Sequence, residues 1–185
     1  MAVPTYFNIG VACTDAHLDT PAADRVAMVV DDAVLGVAQL TYRELAGLTS
    51  RFAQALRELG VDAGERVLIR PPNAIAYPVV FLGSIKRGAI PVPASILLTV
   101  EEVRWLLDDA GAAVLVTDEE SWAAMGDPLC RACGLRHVVL VRRDSSGADA
   151  LRMTETPHPA RAGLSAATDP VDAPGIHVHD LADLL

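Results

Sequence analysis

The chain has 185 residues, 51% of them hydrophobic and 21% charged, so it can bury a core and is not a disordered tract. Lys and Arg number 15 against 24 Asp and Glu, a formal charge of −9, and aromatics are 4%; this excludes the basic face and stacking platforms of a nucleic-acid binder and disfavours an anionic membrane surface. Three cysteines argue against a disulfide framework and for a reducing, cytoplasmic compartment.

The N-terminal Met1-Ala-Val-Pro-Thr-Tyr lacks a basic region and a long apolar run, so no signal peptide is expected. Asn8 to Leu18 reads as a short helix. Val26 to Val30 reads as a strand, Asp31-Asp32 as a turn, and Leu35 to Leu40 as the returning strand. Thr41 and Glu44 form a capping box, in which the hydroxyl accepts from a backbone N–H three residues on and the carboxylate reaches back. Leu45, Leu48, Phe52, Leu56 and Leu59 follow on one helical face, and Gly60 stops the helix.

Arg66 to Arg70 reads as a strand ended by Pro71-Pro72-Asn73. Ala74 to Arg87 reads as a buried helix, apolar nearly all round, with Gly88 as its stop. Its apolar run, Ala74 to Ile85, is broken by Tyr77, Pro78, Gly83 and Ser84 and is too short to span a bilayer. Ala89 to Pro93 is a strand whose two prolines predict an edge or a bulge. Thr99 and Glu102 form a second capping box, and Gly111 ends that helix. Ala113 to Thr117 is a strand and Glu119 to Ala124 a short helix. Asp127-Pro128 is expected to cap a further helix ended by Gly134, and His137 to Arg142 is a strand.

Strands thus alternate with helices, which selects an α/β fold: a parallel, Rossmann-like sheet with helices on its faces and right-handed crossovers. Residues 1–142 are expected to form one α/β subdomain. From Arg143 to Gly175 Pro, Ala, Asp, Ser and Thr dominate, which predicts a linker or mobile excursion. Residues 176–185 resume as a short strand and a helix start at His179-Asp180.

Motif chemistry is sparse. There is no Gly-x-Gly-x-x-Gly and no Gly-x-Ser-x-Gly. Gly83 and Gly88 have phosphate-loop spacing, but Ala89-Ile90 stands where Lys-Ser/Thr is needed, so they read as a close-packing residue and a helix stop. Cys130-Arg-Ala-Cys133 is a lone C-x-x-C; with Cys13 and His17, four apart on a helix, it would complete a zinc tetrahedron, against the alternative of buried apolar thiols. His177 and His179 share a strand face without an evident third ligand. In open α/β sheets ligands sit outside the carboxyl ends of strands. Those positions are Pro71-Pro72-Asn73, Ala94-Ser95-Ile96 and Thr117-Asp118. Asn73 and Ser95 are therefore the candidate substrate-binding residues, against the alternative of a helix cap and a loop residue. No catalytic residue and no metal ligand is assigned.

The order of these segments resembles the amino-terminal part of the adenylate-forming (AMP-binding) superfamily, which comprises acyl-CoA synthetases, peptide-synthetase adenylation domains and luciferases. Leu40-Thr-Tyr-Arg-Glu-Leu45 looks like its first core motif. Gly64-Glu-Arg-Val67 and Pro72-Asn73 look like the next strand and turn, and Phe81 to Pro93 like the second core motif. Tyr6-Phe-Asn8 and Pro78-Val-Val-Phe-Leu82 look most like benzoate- and medium-chain acyl-CoA ligases. The resemblance covers roughly Tyr6 to Arg142.

It implies a whole enzyme that couples ATP to a fatty or aromatic carboxylic acid, giving an acyl-adenylate and then a thioester with coenzyme A, assisted by Mg²⁺. The family's phosphate loop with its lysine is expected after a segment like Ile176 to Leu185, and Lys86 matches a structural lysine of the second motif instead. The 185 residues alone are accordingly expected to be inactive and to bind no cofactor. The partner is expected to be the remainder of the enzyme or a second copy of the chain. The alternative is a non-catalytic binding module that keeps the fold without the active site.

Overall fold

The computed structural model describes residues 7–32, 36–72, 74–129, 134–142 and 176–185. Five parallel strands form its central sheet: β3 (Arg66–Ile69), β4 (Ile90–Pro93), β5 (Ala112–Asp118), β6 (His137–Val141) and β7 (His177–Asp180). Their spatial order is β4-β3-β5-β6-β7. A separate antiparallel hairpin, β1 (Val26–Asp32) and β2 (Gly36–Thr41), precedes it. The α/β class expected from the alternating pattern is the one observed.

The strands read as near-continuous apolar runs because both faces of the sheet are covered. One face carries Val67, Ile69, Val114, Val116, Val139 and Val141, packed under α2 (Tyr42–Glu58) and α3 (Ala76–Arg87). The other carries Leu68, Leu115, Val138 and Leu140, packed under α4 (Val100–Ala110) and α5 (Glu119–Leu129). Prolines mark the edge, as expected. Ile90 and Ala94 donate inward to the carbonyls of Glu65 and Ile69 at 2.8 and 2.9 Å. Pro91 and Pro93 therefore fall where an N–H would point away from β3.

Both capping boxes form. Thr41 Oγ1 accepts from the Glu44 N–H and the Glu44 carboxylate accepts from the Thr41 N–H; Thr99 and Glu102 repeat the pattern. Each cap stabilises its helix by about 1 kcal/mol. The predicted face of α2 is buried through Leu45, Leu48, Phe52 and Leu56, each contributing roughly 1.5–3 kcal/mol of transfer free energy. Gly83 lets α3 approach α2, since a Cβ there would lie 2.9 Å from Phe52 Cδ1 and from the Thr49 carbonyl oxygen. Gly111 ends α4 at φ +55°, and the Arg66 guanidinium donates to the carbonyls of Ala110 and of Gly111, the latter at 2.8 Å. That places a cation at the negative end of the helix.

Three expectations are corrected. Asn8 to Leu18 is not one helix: α1 (Ile9–Cys13) ends at Thr14, whose hydroxyl donates to the Gly10 carbonyl and to the Asp15 carboxylate, and a 3₁₀ turn (Asp15–His17) follows. Asp127-Pro128 does not open a new helix, because α5 runs through both to Leu129. A proline one residue from a helix end removes only its own ladder bond. Asp31-Asp32 is not a turn, because both residues belong to β1 and pair with Val37 and Gly36. The helix from Ala76 to Arg87 is covered, as expected: α2 packs on one side and α1 on another, with Asn8 Nδ2 donating to the Ile85 carbonyl at 2.8 Å. The segment 143–175, the C-x-x-C cysteines and Asn73 lie outside the described residues. After it β7 joins the sheet, and Asp180 caps α6 (Leu181–Leu184) by accepting from the Ala182 N–H at 2.9 Å.

Candidate functional site

The carboxyl edge of the sheet gathers the ends of β4, β3 and β5 side by side. Arg70 directly follows β3 and Thr117 is the penultimate residue of β5. The Ile69–Val116 pairing and the Arg70 N–H donating to the Val116 carbonyl at 2.8 Å make the two side chains neighbours. Strand alternation turns both toward the α4 and α5 layer, the side that also takes Leu68 and Leu115. Both are buried: Arg70 is 3% exposed and Thr117 1%.

Arg70 reaches across to the loop after β4. Its Nη2 donates to the carbonyls of Ile96 at 2.6 Å and Leu98 at 3.3 Å. Its Nε and Nη1, and the Thr117 hydroxyl, are buried without a hydrogen-bond partner. The ion pairs among the described residues engage Arg43, Lys86, Arg87, Arg136 and Arg142 instead. An uncompensated buried guanidinium is costly, so its presence at this edge is informative.

Ser95, a candidate from the sequence, shapes the same loop. It is exposed, and its Oγ accepts from the Leu97 N–H at 3.2 Å while its carbonyl accepts from the Leu98 N–H at 3.3 Å. This turn presents the carbonyls that Arg70 binds. Asp118, the third edge position, caps α5, its Oδ1 accepting from the Ser121 N–H at 2.8 Å. Sequence reasoning placed Thr117 at this edge without giving it a role, and passed over Arg70. The available signal was a cation placed directly after the apolar run Val67-Leu-Ile69, at a strand's carboxyl end.

At the opposite edge the structure supplies the third imidazole that the sequence left wanting. β6 pairs with β7 so that His137 faces His177, and His137 Nδ1 lies 3.3 Å from His179 Nε2. Burial pushes the His137 pKa below its usual value, with the charges of His179, Arg136 and His177 adding to the effect. Burial and then His177 do the same to His179. Among the described residues no three His, Cys, Asp or Glu are placed to hold a metal ion. Cys13 is exposed and the His17 ring packs on Tyr42 at 4.2 Å between centroids. Lys86 is occupied: its Nζ pairs with Asp15 and donates to the Ala46 carbonyl and to Ser50 Oγ.

Comparison with known proteins gives a consistent result. The family model described as AMP-binding enzyme matches residues 15–182. Benzoate–CoA ligase from Thauera aromatica is 34% identical over 123 residues, 66% of this chain and 22% of that protein. Acetyl-coenzyme A synthetase from Chromobacterium violaceum is 32% identical over 153 residues, 77% of this chain and 23% of that protein. A benzoate CoA ligase structure from Burkholderia xenovorans LB400 superposes with a TM-score of 0.63 at 26% identity, over 90% of this chain and 32% of that one. The anthranilate CoA ligase AuaEII, solved with anthranoyl-AMP, gives 0.66 at 25% identity, over 75% of this chain and 26% of that one. The chain thus spans about a fifth of the length of the curated relatives it matches.

Proposed function

Because the chain belongs to the AMP-binding enzyme family, we propose that it forms the amino-terminal α/β part of an ATP-dependent acid–CoA ligase. The whole enzyme would join a carboxylate to ATP, releasing pyrophosphate and forming an acyl-adenylate. It would then pass the acyl group to the thiol of coenzyme A, releasing AMP. The observation that carries this reading is the family match over residues 15–182, accompanied by acid–CoA ligases among both the relatives and the solved structures. The benzoate and anthranilate ligases among them favour an aromatic acid, with a fatty acid as the other class the sequence motifs suggest.

ATP and coenzyme A are cofactors of the full-length enzymes of this family, and Mg²⁺ is proposed with them. The described residues do not supply the glycine-rich loop and lysine of that chemistry. The chain's one lysine is held by Asp15, Ala46 and Ser50, and no glycine-rich loop with a free lysine is present among them. No chemical step is therefore assigned to these residues, whose role is to frame the carboxyl edge. Among the described residues no helix is long and apolar enough to cross a membrane, and the cytoplasm is the proposed compartment.

The test is pyrophosphate exchange with a panel of aryl and fatty acids. The 185-residue chain alone is expected to give none, and a chain extended to the length of its relatives is expected to give acid-dependent exchange. Acid-dependent exchange by the short chain overturns the assignment of catalysis elsewhere. No exchange by the long chain overturns the ligase reading.

A further inference from the structure

We propose that Arg70 and Thr117 form a buried oxyanion subsite at the carboxyl edge of the sheet, taking a phosphate or carboxylate oxygen of a small-molecule ligand. Three observations carry it. The guanidinium is 3% exposed, holds only backbone carbonyls through Nη2, and leaves Nε and Nη1 unpartnered. The adjacent Thr117 hydroxyl is likewise buried and unpartnered. Among the described residues no carboxylate pairs with this cation, whereas Arg43, Lys86, Arg87 and Arg136 each pair with one and Arg142 with two.

Two backbone carbonyls tether the group but do not neutralise it. A guanidinium with free N–H donors, next to a hydroxyl donor, is matched by an anionic oxygen, which alone supplies both the acceptors and the opposite charge. A bridging water would satisfy the donors and leave the charge uncompensated. The position is the one at which open parallel sheets take ligands.

The turn at Ser95–Leu98 closes over the subsite. Its outer residues Ile96 and Leu97 are 48% and 86% exposed, and it is held by the Ser95–Leu97 contact and by Arg70 itself. The subsite goes beyond the ligase reading and is independent of it, since it lies wholly on this chain and its test needs neither ATP nor coenzyme A.

The experiment follows the Arg70 Nε–H resonance of the ¹⁵N-labelled 185-residue chain, assigned with Arg70→Lys, during titration with inorganic phosphate and with acetate. Sodium chloride at matched ionic strength is the control. A saturable shift with either anion and none with chloride supports the subsite, and the anion that acts names the ligand chemistry. Thr117→Val, nearly isosteric, is expected to weaken binding at least tenfold. A resonance unmoved by both anions, or moved equally by chloride, overturns the proposal and leaves Arg70 as a tether for the loop. Unchanged affinity in Thr117→Val overturns the two-residue site.

Discussion

Arg136 grips Glu65 with a two-point fork, Nη1 to Oε1 and Nη2 to Oε2, both at 2.8 Å. The pair ties the start of β6 to the turn before β3, strands that are not neighbours in the sheet, and bridges the strand between them.

This contact makes acid stability predictable. The Arg136 hydrogen bonds hold the Glu65 pKa down to about 2, from an ordinary value of 4.5. The folded state therefore favours the carboxylate. The stabilisation is fully present above pH 4.5 and is lost as pH falls from there through about 2. Arg136 is 43% exposed, so solvent screening leaves about 1 kcal/mol. Glu65→Gln is expected to lose that amount at neutral pH and to flatten this part of the acid limb, as read by urea midpoints across the range.

Two histidines, His137 and His179, produce an opposite group chemistry with the same sign. Their folded-state pKa values lie below 6.5 for His137 and His179, so the unfolded chain binds protons that the folded chain refuses. Stability falls as pH drops below about 6.5. Charging both rings also breaks the His137–His179 contact, because both nitrogens become donors. Urea unfolding at about pH 7.5 and 5.5 should show a lower midpoint at the acid value, and a His137→Asn, His179→Asn double variant should show a smaller drop. An equal drop in the variant contradicts the assignment.

Gly83→Ala is expected to cost roughly 1–3 kcal/mol by overpacking, since its methyl meets Phe52 and the Thr49 backbone at 2.9 Å. A Phe52→Leu background should recover part of the loss by freeing the ring side of the contact. A neutral Gly83→Ala in chemical denaturation contradicts the packing described.

The isolated chain is expected to self-associate more as salt is added. Leu97 is 86% exposed and Trp105 62%, with Ile90 and Ile96 also open. The net charge of −9 opposes contact until ions screen it. Light scattering should report larger species at high salt, and a Leu97→Lys, Trp105→Lys double variant should stay monomeric. A wild-type monomer at both salt levels refutes this.

Local physics was legible in the sequence. Thr41–Glu44, Thr99–Glu102 and the stops at Gly60, Gly88 and Gly111 act within one turn, and their residues sit in the order the chemistry needs. The class of the sheet was legible too, because the β4 prolines and the buried run of β5 reflect edge and centre. The histidine cluster was not, since His137 meets His177 and His179 only through a strand pairing across 40 residues of chain separation. Arg70 was missed for a different reason. A cation is ordinarily expected in solvent, and only the fold reveals that the loop after β4 closes over it.

Arg66, which opens β3, and Arg70, which directly follows it, have a mechanical consequence. Arg66 clasps the last carbonyls of α4 and Arg70 clasps the loop that leads into its first turn. They stand four residues apart, at the start of β3 and just past its end, about 13 Å, while the 11-residue helix is about 16 Å long. The strand thus works as a gauge against which the helix is measured. Inserting or deleting one residue in α4 shifts its end by about 1.5 Å and turns it by roughly 100°, so the carbonyls at one clasp swing out of reach. The length that the Thr99–Glu102 cap and the Gly111 stop give α4 is thus matched to its neighbour's spacing.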